Sequence, residues 1–477
     1  MTGADVRAWR RRLRAGLVLL ALAIGQAAPA ASPPPRLAVP PPDENPMTID
    51  FSSDPVLNFG HSQAPPDLFR TTIAHAIETH AQVRRAAAAE RQAAAVVQEA
   101  HAGRLPTIDL QFLHSRRLFA AFSDRARNAL EQARPKGRTD ATMTLNQNLF
   151  DFGATTLKIE SAKARRDQAQ ANFEGTQDDL ALDVIAAWYD VAAYRSLIAL
   201  AESMQQSESD IRGAVQQRIG QGASAPGDLA RVDVYIGRVA LRLSQLRGQM
   251  ASAEARYRET TGMPAPATLE RPGLALRLPR SIEEARLAAN DAPEVRAAKA
   301  QERASGADWR AVRAENLPSI DGQISAGRFG VFENSGDYDV RGQLVISHRL
   351  FGGGGGARQT QAHEQLRGAQ AATEQVIGEA ERDAETAFVT LAAYEDQVRT
   401  LETAYAANRR TRDVLYTRFR NLSGTLFDVL VADDDFFDTA TSYLTAISQR
   451  DAQKLALLRK CGTLLEGLNI AASGPQR

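Results

Sequence analysis

The sequence predicts a mainly α-helical chain that also contributes strands to a transmembrane β-barrel, with a helix–β-hairpin–helix unit written twice. Three observations predict it. Motifs recur about 200 residues apart, apolar–polar alternation follows each LP motif, and helical patterns over about 154–217 and 352–417 far exceed the usual globular helix.

The 477 residues, 44% hydrophobic and 24% charged, suffice for a large ordered structure. Lys+Arg and Asp+Glu are both 57, so there is no basic footprint and no nucleic-acid partner is expected. Residues 1–31 read as a secretory signal peptide: Arg7, Arg10, Arg11, Arg12 and Arg14, an apolar core from Ala15 to Ile24, then Ala28-Pro29-Ala30 before Ala31. That core is too short to span a bilayer as a helix. The adjacent arginines also fit a twin-arginine signal, although a Sec-type signal explains the same residues. The lone Cys461 lies far from this signal, so neither a disulfide nor a lipid-anchored N-terminal Cys is expected. No apolar run of about 18 residues follows residue 31, so entry into a membrane requires strands.

Residues 32–66 are rich in Pro and short of periodic apolar positions, which predicts an extended or disordered lead-in. The first repeat then occupies 67–265, a linker 266–280, the second repeat 281–470 and a tail 471–477. HAQVRRAAAA at 80–89 resembles APEVRAAKAQ at 292–301, and LPTIDLQ at 105–111 resembles LPSIDGQ at 317–323, both 212 apart. LFDFG at 149 and LFGGG at 350 are 201 apart. AWYDVAAY at 187 and AFVTLAAY at 387 are 200 apart, as are RIGQGASAPGDL (218–229) and RFRNLSGTLFDV (418–429). The drop from 212 to 201 gives the first copy 11 extra residues in one connection, which must be a tolerant loop.

Each copy opens with a helical stretch, about 67–104 or 281–316, that ends where Pro106 or Pro318 pushes the preceding Leu out of the α region. Strands follow at about 106–117 and 140–150, and at about 318–329 and 338–351. Ile108, Leu110 and Phe112 alternate with Thr107, Asp109 and Gln111; Met143, Leu145 and Leu149 alternate with Thr142, Thr144, Asn146 and Asn148. In the second copy Ile320, Gly322 and Ile324 face Asp321, Gln323 and Ser325, and Val340, Leu344 and Ile346 face Arg341, Gln343 and Ser347. Each hairpin thus has one apolar and one polar face. Ile108, Leu110, Phe112, Leu145, Ile320, Ile324, Leu344 and Ile346 are the expected lipid-facing positions.

Along the long helices, Leu391, Tyr394, Val398, Leu401 and Tyr405 step by three and four, and Val184, Trp188, Val191 and Ile198 keep the same stripe. This fits a coiled-coil seam and a plain amphipathic core helix alike. At 1.5 Å per residue each long helix spans about 100 Å, and the shorter helical stretches of a copy, laid end to end, match it. Helices of that length build a wall rather than a globule, with tip turns at 218–228 and 418–428.

Four strands cannot close a barrel, and an open edge in hydrocarbon leaves backbone groups unsatisfied at several kcal/mol each. An oligomer is required, of two, three or four copies. HRLFGGGGGARQ at 348–359 lacks the Lys and Ser or Thr of a phosphate loop, since Ala357, Arg358 and Gln359 follow the glycines. Gly352, Gly353 and Gly354, with Gly153 in the first copy, instead suit a sharp joint from a tilted strand into a helix.

These residues resemble the TolC family of outer-membrane channel proteins of Gram-negative bacteria. The carriers are the duplicated LP-[ST]-ID strand entry, the LFDFG and LFGGG strand exits, the two tip segments and the two-copy plan, over roughly 67–470. The resemblance implies a homotrimer with a 12-stranded barrel in outer-membrane lipid and a long α-helical coiled-coil periplasmic tunnel. It also implies docking through a periplasmic adaptor (membrane fusion) protein to an inner-membrane ABC or RND transporter. RYRETTGMPAPATLERP at 256–272 is similar to the branch serving type I protein secretion; multidrug or RND efflux is the alternative.

By the same resemblance the turns at 218–228 and 418–428 are periplasmic tips that carry adaptor contact and gating. Arg218 and Arg418 precede the turns, and Asp228 and Asp428 fall on acidic positions near the tunnel entrance. Phe419 stands at a gate tyrosine position, Gly424 at a gate arginine position and Val431 at a second acidic ring position. Phe419 cannot donate a hydrogen bond and Gly424 cannot pair with a carboxylate, so closure is expected to be mainly apolar. Asp228 and Asp428 also suit helix N-caps.

No catalytic, cofactor or metal site is expected: His363-Glu364 lacks the second His of a zinc motif and no nucleophile elbow occurs. Asp433, Asp434 and Asp435 lack cation-ligand spacing and read as a solvated helix face. A periplasmic coiled-coil scaffold or adaptor is the second alternative, but it would carry one helical hairpin and a lipoyl-like β domain, not two alternating-strand hairpins.

Overall fold

The segment before the first repeat is not the extended lead-in its Pro content suggests. In the computed structural model, which describes residues 37–119, 121, 137–333, 336–421 and 423–470, two 3-10 turns (Pro46–Thr48 and Phe51–Ser53) lead into helix α1 (Pro55–His61). Asp54 caps α1 by accepting from the Val56 and Leu57 N–H groups at 2.8 and 3.0 Å. It is buried and also takes the Tyr405 hydroxyl and Arg409, partners some 350 residues away that no local pattern can announce. The expected signal peptide (1–31), the tail (471–477) and most of the connection holding the 11 extra residues lie outside the described residues.

The first repeat runs α2 (Asp67–Thr79), α3 (Ala81–Ala102), β1 (Thr107–Arg116), β2 (Gly137–Phe150), α4 (Ala154–Gly220) and α5 (Gly227–Thr261). The second runs α6 (Ile282–Ala289), α7 (Pro293–Glu315), β3 (Ser319–Arg328), β4 (Tyr338–Ser347), α8 (Gly355–Arg420) and α9 (Leu426–Lys460), closed by the short α10 (Leu464–Gly467). The single opening helix expected in each copy is broken in two. The break falls at equivalent positions 212 apart: His80 and Ala292 both adopt extended backbone, with ψ 138° and 147°, and both cap the next helix. Pro293 at the first position of α7 has no N–H to lose there.

Equivalent patterns occupy unequal places. The 67-residue α4 packs against α3, α5, α7 and α9, whereas the 66-residue α8 packs against α6, α7 and α9. The helix order is therefore α3-α4-α7-α8 next to the sheet and α5-α4-α9-α8 toward the tip turns, with α3 and α5 along one rim and α8 along the other. Covered on both flanks, α4 buries Ala181, Val184, Ile185, Ala187, Trp188 and Val191, positions that span nearly half of the helix circumference. One stretch of α4 is apolar enough to cross a membrane by composition, and 61% of it is buried, which marks a core helix. The rim helix α8 buries a narrow stripe, Ala380, Ala384, Ala387, Leu391, Val398 and Tyr405.

The linker 266–280 is clamped to the wall. Trp188 donates to the Glu270 carbonyl at 2.9 Å while its ring meets Phe69 edge-on at 5.2 Å. Arg271, 3% exposed, donates to Asp451 and to the Phe59 and Gly60 carbonyls, tying linker, α1 and α9 together.

The two hairpins join into one antiparallel sheet of order β1-β2-β3-β4, which leaves β1 and β4 as unpaired edges among the described residues. Register puts Ile108, Leu145 and Ile324 in one row and Leu110, Met143, Ala326 and Val340 in the next; Gly322 lies beside Leu344, and Ile320 beside Ile346. Phe112 follows Leu110 on the same face, so all eight expected apolar positions share one side of the sheet. Asp109, Thr144, Ser325 and Arg341 form a row of the other. Ile108, Leu110 and Phe112 are 64–65% exposed in the single chain. A bulge between Asn148 and Phe150 takes up Leu149, which leans over Gly322.

Both strand exits turn through left-handed backbone into the long helices. Phe152 and Gly153 have φ 52° and 86°, and Asp151 holds this turn by accepting from the Gly153 and Thr155 N–H groups at 3.0 and 2.7 Å. The second copy lacks that Asp and uses Gly352, Gly353 and Gly354 at φ 84°, 76° and 67°. Only these three of the five glycines need positive φ. Gly355 and Gly356 are already helical, and a Cβ on Gly355 would come within 2.7 Å of the Asn316 side chain.

Candidate functional site

At the end of the helices away from the sheet, the turns α4–α5 and α8–α9 lie side by side. Their shared core gathers Ile211, Val215, Val232, Tyr235, Phe419, Leu426, Val429 and Leu430. Each helix delivers one apolar stripe to it, which is why two turns 200 residues apart in sequence meet here.

Arg218 joins the turns. Its guanidinium lies 4.2 Å from the Phe419 ring centroid, and Nη1 donates to the Phe419 carbonyl at 3.0 Å. The contact between the turns is therefore an apolar core joined by one cation, which uses the ring face and the backbone oxygen of Phe419, a residue with no hydroxyl to offer. The Arg418 side chain is exposed, while its carbonyl closes the α8–α9 turn by accepting the Ser423 N–H at 3.0 Å. Gly424 is there for space, since a Cβ would approach the Phe419 nitrogen and the Arg418 carbonyl carbon at 3.1 and 3.2 Å.

The two tip acids differ. Asp228 is not the N-cap expected of it: Pro226 holds that position, and Asp228, in the first turn of α5, reaches back to accept the N–H of Ala225, outside the helix, at 3.1 Å. On α9 the cap is Thr425, whose hydroxyl accepts the Asp428 N–H at 3.2 Å, and the Asp428 carboxylate is exposed at the positive end of the helix.

The run Asp433-Asp434-Asp435 is not one solvated face. Successive residues point about 100° apart, so Asp433 turns inward at 1% exposed, Asp434 pairs with Arg242 of α5 at 3.1 Å, and Asp435 stays in solvent. Arg242 also reaches Asp438 at 2.9 Å, so α5 is tied to α9 at this level. Sequence reading missed these links and the buried Arg412–Asp413 pair of α8, 2.7 Å apart, whose Arg412 also donates to the Pro40 carbonyl. A signal existed for Asp433: it falls in step with Leu426, Val429, Leu430, Phe436 and Phe437 on the buried stripe.

Among the described residues no group of three or more His, Cys, Asp or Glu could hold a metal ion. The arrangement holds the ends of four helices together.

The outer membrane efflux protein family model matches residues 72–263 and 285–463, one match per repeat. Protein CyaE of Bordetella pertussis is 29% identical over 196 residues, which covers 39% of this chain and 40% of that protein. Outer membrane efflux protein BepC of Brucella suis is 24% identical over 358 residues, 72% of this chain and 78% of that protein. Among solved structures, the outer membrane protein VceC of Vibrio cholerae matches with a TM-score of 0.73 at 16% identity, covering 83% of this chain and 96% of VceC. The outer-membrane channel OprN matches at 0.72 and 19%, covering 91% and 94%. With the family match spanning most of the sequence, the chain belongs to the outer membrane efflux proteins, the TolC family of channels of the cell outer membrane.

Proposed function

We propose that the chain forms, as a homotrimer, the outer-membrane exit duct of a type I protein secretion system. Its face of Ile108, Leu110, Phe112, Leu145, Ile320, Ile324, Leu344 and Ile346 would meet lipid, and the row of Asp109, Thr144, Ser325 and Arg341 would line the lumen. One observation carries the assembly: the open edges coincide at every level. β1, α3 and α5 stand along one rim and β4 and α8 along the other, so a rim-to-rim contact closes barrel and tunnel together. Three copies of four strands make 12, within the range of outer-membrane barrels.

The tip turns would meet a periplasmic adaptor, itself joined to an inner-membrane ABC transporter. Arg218, Phe419 and Gly424 hold the turns together, Asp228 and Asp428 place carboxylates at the entrance, and Gly153 with Gly352–Gly354 joins barrel to tunnel. The likeness of segment 256–272 to the type I branch favours protein cargo. A second reading, the outer-membrane factor of an RND efflux pump, is favoured by the longer alignment with BepC.

Deleting the gene and comparing culture supernatants with drug susceptibility separates the two. Loss of one or more secreted proteins at unchanged susceptibility supports secretion. Heightened drug sensitivity with an unchanged supernatant supports efflux and removes the secretion reading.

A further inference from the structure

Two helix stripes above the tip carry acids where apolar residues belong. On α4 the inward stripe runs Met204, Glu208, Ile211 and Val215, all buried; on α9 it runs Val429, Leu430, Asp433, Phe436 and Phe437. Glu208 is 1% exposed and neither of its oxygens has a hydrogen-bond partner; Asp433 is 1% exposed and its Oδ2 has none.

The charged neighbours are few and already engaged. From α8, Arg412 brings Nε to 4.0 Å from Asp433, but it also pairs with Asp413, donates to the Pro40 carbonyl and stacks on Phe436 at 4.3 Å. Tyr416 of α8 lies close by, its hydroxyl pushed up to about 12, chiefly by burial. On α9, Asp434 is held by Arg242 and Arg238 of α5. On α4 itself Asp210 adds negative charge, and Arg212 is bound to Asp233 of α5 at 2.7 Å. Arg412 serves Asp413 and Asp433, so Glu208, buried beside Asp433 with no hydrogen-bond partner on either oxygen, cannot ionise without leaving charge unsolvated, at a cost of several kcal/mol. A proton removes the conflict. Burial, and then the charges of Asp433 and Asp434, push Glu208 up to about 8. Burial likewise raises Asp433 to about 6 against the pull of Arg412.

We propose that Glu208, beside Asp433 in the α4–α9 contact, is a proton-binding site that makes closure of the helical tip depend on periplasmic pH. This rests on the reading of that tip as the closing end of a channel. The sign follows from linkage. Packed helices hold a proton that separated helices, with Glu208 back near its ordinary 4.5, release. The stabilisation is complete below that value and lost as pH rises to about 8. From about 6, the value of Asp433, to about 8 the ratio of open to packed tips increases about tenfold per pH unit, and it levels off above. Acid holds the tip shut and mild alkali frees it.

Hydrogen exchange of amides 204–215 and 426–437 in the purified, detergent-solubilised protein, corrected for intrinsic rates, tests this at pH 6 and pH 8. The wild type should open at least tenfold more at pH 8. Glu208→Gln, a neutral stand-in for the protonated acid, should show no such rise. A flat wild-type profile, or an unchanged pH response in Glu208→Gln, overturns the proposal. Should Glu208→Gln fail to assemble, Asp433→Asn decides: with repulsion removed, the midpoint should move to lower pH, and an unmoved midpoint overturns the proposal. Planar-bilayer conductance measured alongside separates the two readings. Conductance with flat exchange removes the proton site, whereas pH-dependent exchange without conductance at any pH supports the site and removes the channel.

Discussion

Replacing Arg218 by alanine should loosen the two tip turns by about 2 kcal/mol. The figure comes from the two contacts that Arg218 makes, to the Phe419 ring at 4.2 Å and to the Phe419 carbonyl at 3.0 Å. A cation–π pair at a half-exposed site contributes about 0.5–1 kcal/mol. A hydrogen bond from a charged donor contributes about 1.5–3 kcal/mol. One side chain makes both, so they do not add in full. About 2 kcal/mol corresponds to roughly 30-fold in the equilibrium between joined and separated turns. The assay is open probability in planar bilayers, with hydrogen exchange of amides 217–222 and 417–421 as the structural readout. Phe419→Leu, which keeps the carbonyl, should reproduce only the smaller part, and Arg218→Lys should fall between, since it keeps the charge and loses the planar fork. An Arg218→Ala protein that matches wild type in both readouts refutes the assignment of Arg218 as the link between the turns.

Two further outcomes follow from the sheet and the linker. Leu110→Arg should impair assembly in membranes more than Gln111→Arg, because an arginine at the bilayer midplane costs about 2–4 kcal/mol and one in an aqueous lumen far less; equal effects in a heat-modifiability assay would undo the assignment of faces. Arg271→Ala leaves Asp451 and the Phe59 and Gly60 carbonyls without their donor. A loss of about 3–5 kcal/mol is expected, read as a lowered unfolding midpoint, and an unchanged midpoint would show that the linker clamp is dispensable.

What could be read from the sequence was what is written locally. The alternation of Ile108, Leu110 and Phe112 with Thr107, Asp109 and Gln111 has a period of two and needs no partner to be seen, and the observed register keeps those residues on opposite faces. The positive φ at Gly153 and Gly352–Gly354 was announced by glycine at a strand exit. Features set by distant partners were not visible. Asp54 reads as part of a Pro-rich leader until Tyr405 and Arg409 are brought to it. The unequal burial of α4 and α8 depends on which neighbours each receives, and their repeats look alike in sequence. Asp433 was legible in principle from its place in the stripe of Val429, Leu430, Phe436 and Phe437, but three consecutive acids outweighed that period. Leu149 keeps alternation with its neighbours on paper, and only the shifted pairing of Asn148 and Phe150 exposes the bulge.

The most direct test of the account is the mass of the mature protein in detergent, by native mass spectrometry or light scattering corrected for bound detergent, with circular dichroism on the same sample. A helical particle of three chains, whose loss of trimer mass coincides with loss of the sheet signal, is the predicted result. A stable one-chain particle with its four strands intact would contradict the claim that neighbouring copies complete the wall.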